Sequence, residues 1–446
     1  MKPLCVAENM LFTNLRMLYN GKLARDMAIL VEDGKILEVG SSQEMKQRHG
    51  VSVYDCSGLL VMPGMVCAHT HTYSAFARGM KVSGDTTNFP NILKNLWWKL
   101  DSVLTPEAVE YSAWVSFIEG IKHGTTTFFD HHASPGFIDG SLEAIAGVAK
   151  SLGIRANLSY EITDRYGDEK AREAIRENER TAMKGSEMLS GSIGLHASFT
   201  LSDETLAKVS EVKKRTSAGI HIHVAEDVVD QSRTMEMCGM NVVARLHKFE
   251  LLDAKSICVH CIHLSGEEID MLEKASASIV HCPESNMNNA VGYSNVPVML
   301  SRHMPVCLGT DGFTHDMFAE AKCAHLLHKF ASRNPTRMPA VDVFKLLENN
   351  AMLASKFFGV KLGSISPGYA ADFMLIDYKN YTHMHSQNFP WHFIFGMDAS
   401  QVKTVVVNGS VILENGKITR VDEEKIMEQS IKISERIWEK FEAVNT

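Results

Sequence analysis

The middle of the chain alternates short apolar runs with longer stretches of helical period, the pattern of βα units around a parallel sheet. Eight apolar runs read as strands, centred on residues 60–68, 125–129, 155–161, 192–195, 219–224, 256–259, 278–280 and 305–308. Eight such units over about 250 residues predict an α/β fold, a (β/α)8 TIM barrel. The ends differ. Residues 11–39 carry short β-rich runs with turn signals at Asn20-Gly21 and Asp33-Gly34. Asp-Gly between two such runs is a strong hairpin signal. The tail repeats the style at residues 372–377 and 402–407, where Asn408-Gly409 turns the chain into Val411-Ile412-Leu413. The two ends, residues 1–59 and 361–446, are therefore expected to pair into a small composite β-sandwich beside a catalytic barrel of residues 60–360. Helical periodicity over residues 423–444 predicts a terminal helix.

The predicted strand ends are polar. The first ends in His69 and His71, the second in Asp130, His131 and His132, and the third in Asp164 and Arg165. The fourth ends in His196, and the fifth carries His221, His223 and Glu226. His260, His281 and Asp311 end the last three. Barrel enzymes keep their chemistry at the C-terminal strand ends, and a purely structural barrel has no need of a titratable group at nearly every one.

Residues two apart on a strand share a face, so His69 and His71 converge on one point. Alone, such a pair also fits two exposed or core-satisfied histidines. His223 and Asp311 supply the matching third and fourth ligands of a mononuclear site for one divalent ion, zinc first and iron second. A bound divalent cation lowers the pKa of water from about 16 toward ~7, so metal-bound hydroxide is the expected nucleophile. Glu226 lies just past His223 and is the expected proton shuttle, its pKa raised by partial desolvation. Asp311 is a second acceptor for the proton of the attacking water. His260 is expected to hold the hydroxide or polarise the scissile bond. Around the pocket, Trp97 and Trp98 either stack on a flat ring or pack into the barrel. His196 is expected to reach a substrate heteroatom. Arg165 either binds a carbonyl or anionic ring edge or forms a surface ion pair. His281 is expected to shape the substrate pocket through hydrogen bonds, and one of His131 and His132 to orient a loop.

Composition narrows the class. The 446 residues are 45% hydrophobic with a net charge of −8, which leaves no basic footprint for nucleic acid. No apolar stretch approaches the ~20 residues of a membrane span. Met1 to Glu8 lacks the apolar core of a signal peptide. Nine cysteines at irregular spacing make no disulfide framework, so a cytoplasmic location is expected. Cys258 and Cys261 read as small buried side chains rather than a redox pair.

These motifs resemble the amidohydrolase superfamily along nearly the whole chain. Pro63-Gly64 through His69-Thr70-His71 matches its PGxxxxHxH, and His223-Val224-Ala225-Glu226 the HxxE of its aminohydrolase branch. Val259-His260-Cys261-Ile262-His263-Leu264 resembles its strand-six histidine, and His281-Cys282-Pro283-Glu284-Ser285-Asn286 its HxPxSN. Leu308-Gly309-Thr310-Asp311-Gly312 matches its metal-binding aspartate, and residues 363–372 its return to the accessory sandwich. The SsnA-like aminohydrolases are the nearest likeness, through residues 95–101, 130–135 and 285–289. The resemblance implies a barrel plus sandwich, one zinc or iron ion, a homodimer, and hydrolytic deamination of a purine, pterin or triazine-like ring as small-molecule substrate. Two departures matter. No strand places a lysine like the carboxylated bridging lysine of binuclear hydantoinases, which favours one metal. Residues 88–100 lack the acid that adenosine-type deaminases use on ribose, which favours a free base over a nucleoside. Ring opening of a cyclic amide is the alternative chemistry. A catalytically silent scaffold would be expected to lose ligands, and none is missing.

Overall fold

The computed structural model describes residues 9–312 and 314–444. Met1 to Glu8, on which the leader expectation rests, lies outside them. Eight parallel strands surround the centre: β1 Met65–Thr70, β2 Thr125–His132, β3 Arg155–Tyr160, β4 Ile193–Ala197, β5 Ile220–Val224, β6 Ile257–His260, β7 Ser278–His281 and β8 Val306–Leu308. Strands β1 to β3, with Leu189–Gly191, form a four-stranded sheet, and β4 to β8 a five-stranded one. Parallel bridges Ile162–Leu195 and Thr70–Asp311 join the two sheets at both margins. Amide bonds from His196 to the Ile162 carbonyl (3.0 Å) and from Thr310 to the His69 carbonyl (3.0 Å) reinforce the joins. Strand β8 thus lies beside β1, the strand order of a TIM barrel.

The run over 60–68 is two strands, not one. Leu60–Pro63 pairs with Phe373–Ile376 outside the barrel, and Met65 then starts β1. Gly64 makes the step between sheets. A Cβ there would sit 2.3 Å from the Thr126 methyl, so the crossing needs glycine. The outer sheet has nine strands drawn from both chain ends, running from Lys417–Ile418 through Leu60–Pro63 to Lys35–Ser41. Its hairpins turn at Asn20-Gly21 and Asp33-Gly34, all four residues at positive φ, as two-residue hairpin loops require.

One buried ion pair ties this sheet to the barrel. Arg155, on β3, is fully buried, and its Nε and a terminal nitrogen donate to both Asp372 oxygens at 2.7 and 3.1 Å. Asp372 also accepts the Asn408 amide at 2.8 Å. The terminal helix Glu423–Ala443 returns to the barrel: Ile433, Ile437 and Phe441 are buried in the barrel's core cluster, and Trp438 Nε1 donates to the Phe76 carbonyl at 2.8 Å. Among the described residues no helix is long and apolar enough to cross a membrane, and the eight described cysteines are unbridged.

Removing one partner of a buried pair strands the other charge, which costs about 3–5 kcal/mol. Asp372→Ala should therefore lower unfolding stability by that amount in urea titrations; a loss under about 1 kcal/mol would show that the pair does not hold the sheet to the barrel.

Candidate metal centre and active site

The histidines at the barrel mouth have their protons assigned by their neighbours. His71 Nδ1 donates to the His131 carbonyl at 2.5 Å, and His223 Nδ1 to the His196 carbonyl at 2.8 Å. A carbonyl only accepts, so each neutral ring keeps its Nε2 lone pair. His69 is set by a longer chain. The Ser159 hydroxyl donates to the Asp130 carbonyl at 3.1 Å and so accepts from His221 Nδ1 at 3.4 Å. His221 Nε2 then accepts from His69 Nδ1 at 2.9 Å, which leaves His69 Nε2 unprotonated.

The three free Nε2 atoms converge with one carboxylate. His71 and His223 Nε2 stand 3.2 Å apart, and Asp311 Oδ1 lies 3.2 Å from His69 Nε2 and 3.1 Å from His71 Nε2. Ligands about 2.0–2.1 Å from a tetrahedral ion are separated by roughly 3.3–3.4 Å. Lone pairs this close repel each other unless a cation or proton lies among them, so the residues fit a divalent ion. Two overlapping groups bring their ligand atoms within 4.8 Å of one another: His69, His71, His131 and His223, and His69, His223, His260 and Asp311. The expected quartet draws on both.

Electrostatics shows the same demand for positive charge beside Asp311. Burial holds His69 down at about 3. His71 is pushed up to about 9: burial opposes its charge, but the bonded Asp311 carboxylate outweighs burial. Burial, then the charge of Asp311, pushes the Glu226 carboxyl well above the usual carboxylate range. Glu226 Oε2 sits 3.3 Å from His260 Nε2. Asn286 bonds His260 Nδ1 at 2.8 Å, so the ring aims Nε2 between Glu226 and Asp311, 3.9 Å from the latter's Oδ2. Burial holds His260 down at about 4. The Ser285 hydroxyl donates to Asp311 Oδ2. Ala225, His260 and Asp311 all adopt positive φ, backbone strain of the kind that gathers at functional sites.

A cavity of about 60 Å3 opens onto this centre, lined among others by Trp97, Trp98, Glu161, His196, Glu226 and Asp311. Gly312 lines it beside Trp97, whose indole a Cβ would meet in ordinary van der Waals contact at 3.4 Å. His196 donates through Nδ1 to Thr200 Oγ1 at 2.9 Å, and Thr200 donates to the Ala197 carbonyl, so His196 Nε2 is an acceptor. Arg165 stays outside the main cavity, stacked on Trp98 at 4.5 Å and 3.5 Å from Asp101. It lines an adjoining recess. His281 also lies off the lining, 3.3 Å from Ser294 Oγ and against His328. His132 bonds Ser134 at 2.8 Å, in the loop after β2.

Sequence reasoning overlooked Glu161 and Asp101. Glu161 is the last residue of the third apolar run, and placing that strand's polar end at Asp164 passed over it. Asp101 follows Trp97 and Trp98 at helical spacing, which puts it on their face. The orienting role of His221 was legible only as the first half of the second His-x-His.

Comparison with known proteins agrees with this geometry. Residues 60–412 match the amidohydrolase family. The chain is 32% identical over 418 residues to a 5′-deoxyadenosine deaminase of Methanosarcina mazei, covering 92% of this chain and 93% of the relative. In structure it resembles an adenosine deaminase from Xanthomonas campestris with bound zinc (TM-score 0.83, 22% identity, 96% of this chain and 98% of the other). It also resembles a guanine deaminase from C. acetobutylicum with guanine in its active site (TM-score 0.75, 21% identity, 90% and 99%). Barrel order, ligand convergence and sequence identity together place the chain in the amidohydrolase family.

Proposed function

We propose that the protein is a mononuclear metal-dependent aminohydrolase that deaminates an aminated purine or similar heterocycle. The observation that carries the reading is the convergence of three imidazole Nε2 atoms on Asp311 beside Glu226, whose carboxyl is pushed well above the usual carboxylate range by burial and by the charge of Asp311. His69, His71, His223 and Asp311 would hold one ion, and the zinc bound in the Xanthomonas structure supports zinc ahead of iron. When bound, such an ion activates water at neutral pH. Glu226 carries the proton at its carboxyl oxygen to the leaving nitrogen, which departs as ammonia while the ring carbon gains an oxo group. His260, neutral and aimed between the two carboxyls, orients the attacking oxygen. Trp97 and His196 hold the ring. The relatives' activity on 5′-deoxyadenosine keeps a nucleoside within the substrate class, against the preference for a free base that residues 88–100 suggested. Asp101, one position past that segment, brings a carboxyl to the cavity. Residues 60–360 are read as the catalytic barrel, and residues 1–59 and 361–446 as the composite sandwich.

Zinc-loaded protein should release ammonia from at least one member of a panel of adenosine, 5′-deoxyadenosine, guanine, aminopterins and aminotriazines. Turnover without ammonia would replace deamination with ring opening. Glu226→Gln should cost about 10²–10⁴-fold in kcat, with its metal retained; full activity would remove Glu226 from the mechanism. His221→Phe should weaken zinc binding by about 10–100-fold in chelator competition, because His69 loses the partner that fixes its proton. Unchanged affinity would show that His69 orients itself.

A further inference from the structure

Glu161 lies just beyond β3, 4% exposed, and its carboxylate faces the cavity. Its backbone is fixed by an amide bond to the His132 carbonyl at 2.8 Å. The nearest ring nitrogens to its side chain are His131 Nδ1 at 3.4 Å and His71 Nδ1 at 3.9 Å. Only His131 can give it a proton. That of His71 Nδ1 goes to the His131 carbonyl. His131 Nε2 donates to the His221 carbonyl at 3.1 Å, so Nδ1 bonds Glu161 only when the ring is an imidazolium. No partner other than Glu161 stands at His131 Nδ1. A carboxylate has two oxygens with about four acceptor sites, of which His131 fills at most one, and buried acceptors in folded proteins are almost always satisfied. The donors must come from what enters the cavity. His196 Nε2, also an acceptor, lines the same space.

We propose that Glu161 is a specificity-determining residue that binds two adjacent donors of the substrate, either the amino–imino edge of a base or the vicinal diol of a nucleoside. A carboxylate offers two oxygens side by side and binds paired donors in fork geometry. The proposal rests on the heterocycle reading above and narrows it to donor-rich substrates. It disfavours a substrate that turns an anionic group toward β3.

The test is a binding cycle on zinc-loaded protein carrying Glu226→Gln, so that turnover does not intrude. Guanine is compared with 1-methylguanine, which lacks the N1–H, and adenosine with 2′,3′-dideoxyadenosine, which lacks the diol. The parent compound of one pair should bind about 10–100-fold more tightly than its analogue, and Glu161→Gln should remove most of that difference. Which pair responds tells base edge from diol. If Glu161→Gln does not fold, Glu161→Asp, which keeps the charge but shortens its reach, takes its place in the cycle and should shrink the same difference. The proposal is overturned if neither parent binds, if the preference is absent, or if it survives Glu161→Gln. It is also overturned if the protein holds two ions per chain and loses one with Glu161→Gln, which would make Glu161 a ligand to a second cation. Ammonia release tests deamination separately, so either reading can fail alone.

Discussion

The barrel mouth is organised around a repulsion. Three imidazole lone pairs and a carboxylate are held at 3.1–3.2 Å between neighbours, a spacing that isolated acceptors would not keep. Backbone carbonyls at the ends of β2 and β4 commit the Nδ1 protons of His71 and His223, and the Ser159–His221 chain commits that of His69. The fold supplies those carbonyls because parallel strands in a closed barrel end at one face. Closure itself runs through the centre. The Thr70–Asp311 bridge joins the last strand to the first, so the join between strands also sets the carboxylate among the imidazoles.

That geometry orders the rest of the site. Burial, and then the charge of Asp311, raises the carboxyl of Glu226, and the two carboxyls together set the field in which His260 stands. Positive φ at Ala225, His260 and Asp311 bends the backbone where the strands end at this centre. Trp97 and Trp98 sit above on a short helical segment, and the terminal helix braces the next turn through Phe441, whose ring lies 4.4 Å from the Lys99 ammonium. The Arg155–Asp372 pair anchors the opposite, N-terminal end of β3, the strand that leads into Glu161.

Much of this was legible in the sequence. Apolar runs ending in His69, His71, His223 and Asp311 encode both the strand and its direction, because period two and an abrupt polar end are local properties. The same local logic found the Asn20-Gly21 and Asp33-Gly34 hairpins. What escaped depends on distant partners. Gly64 splits the first run because Thr126 crowds it, which no local pattern reports. Arg165 and His281 carry the right chemistry but turn to Trp98, Asp101 and Ser294 instead of the cavity. The role of His221 depends on a proton held by Ser159, two strands away in the barrel.

X-ray absorption on the zinc-loaded protein tests the convergence most directly. One ion per chain with three imidazole nitrogens and oxygen completing the shell, all at about 2.0–2.1 Å, is the predicted result. A sulfur ligand, fewer than three imidazoles, or a metal–metal vector from a second ion would contradict it.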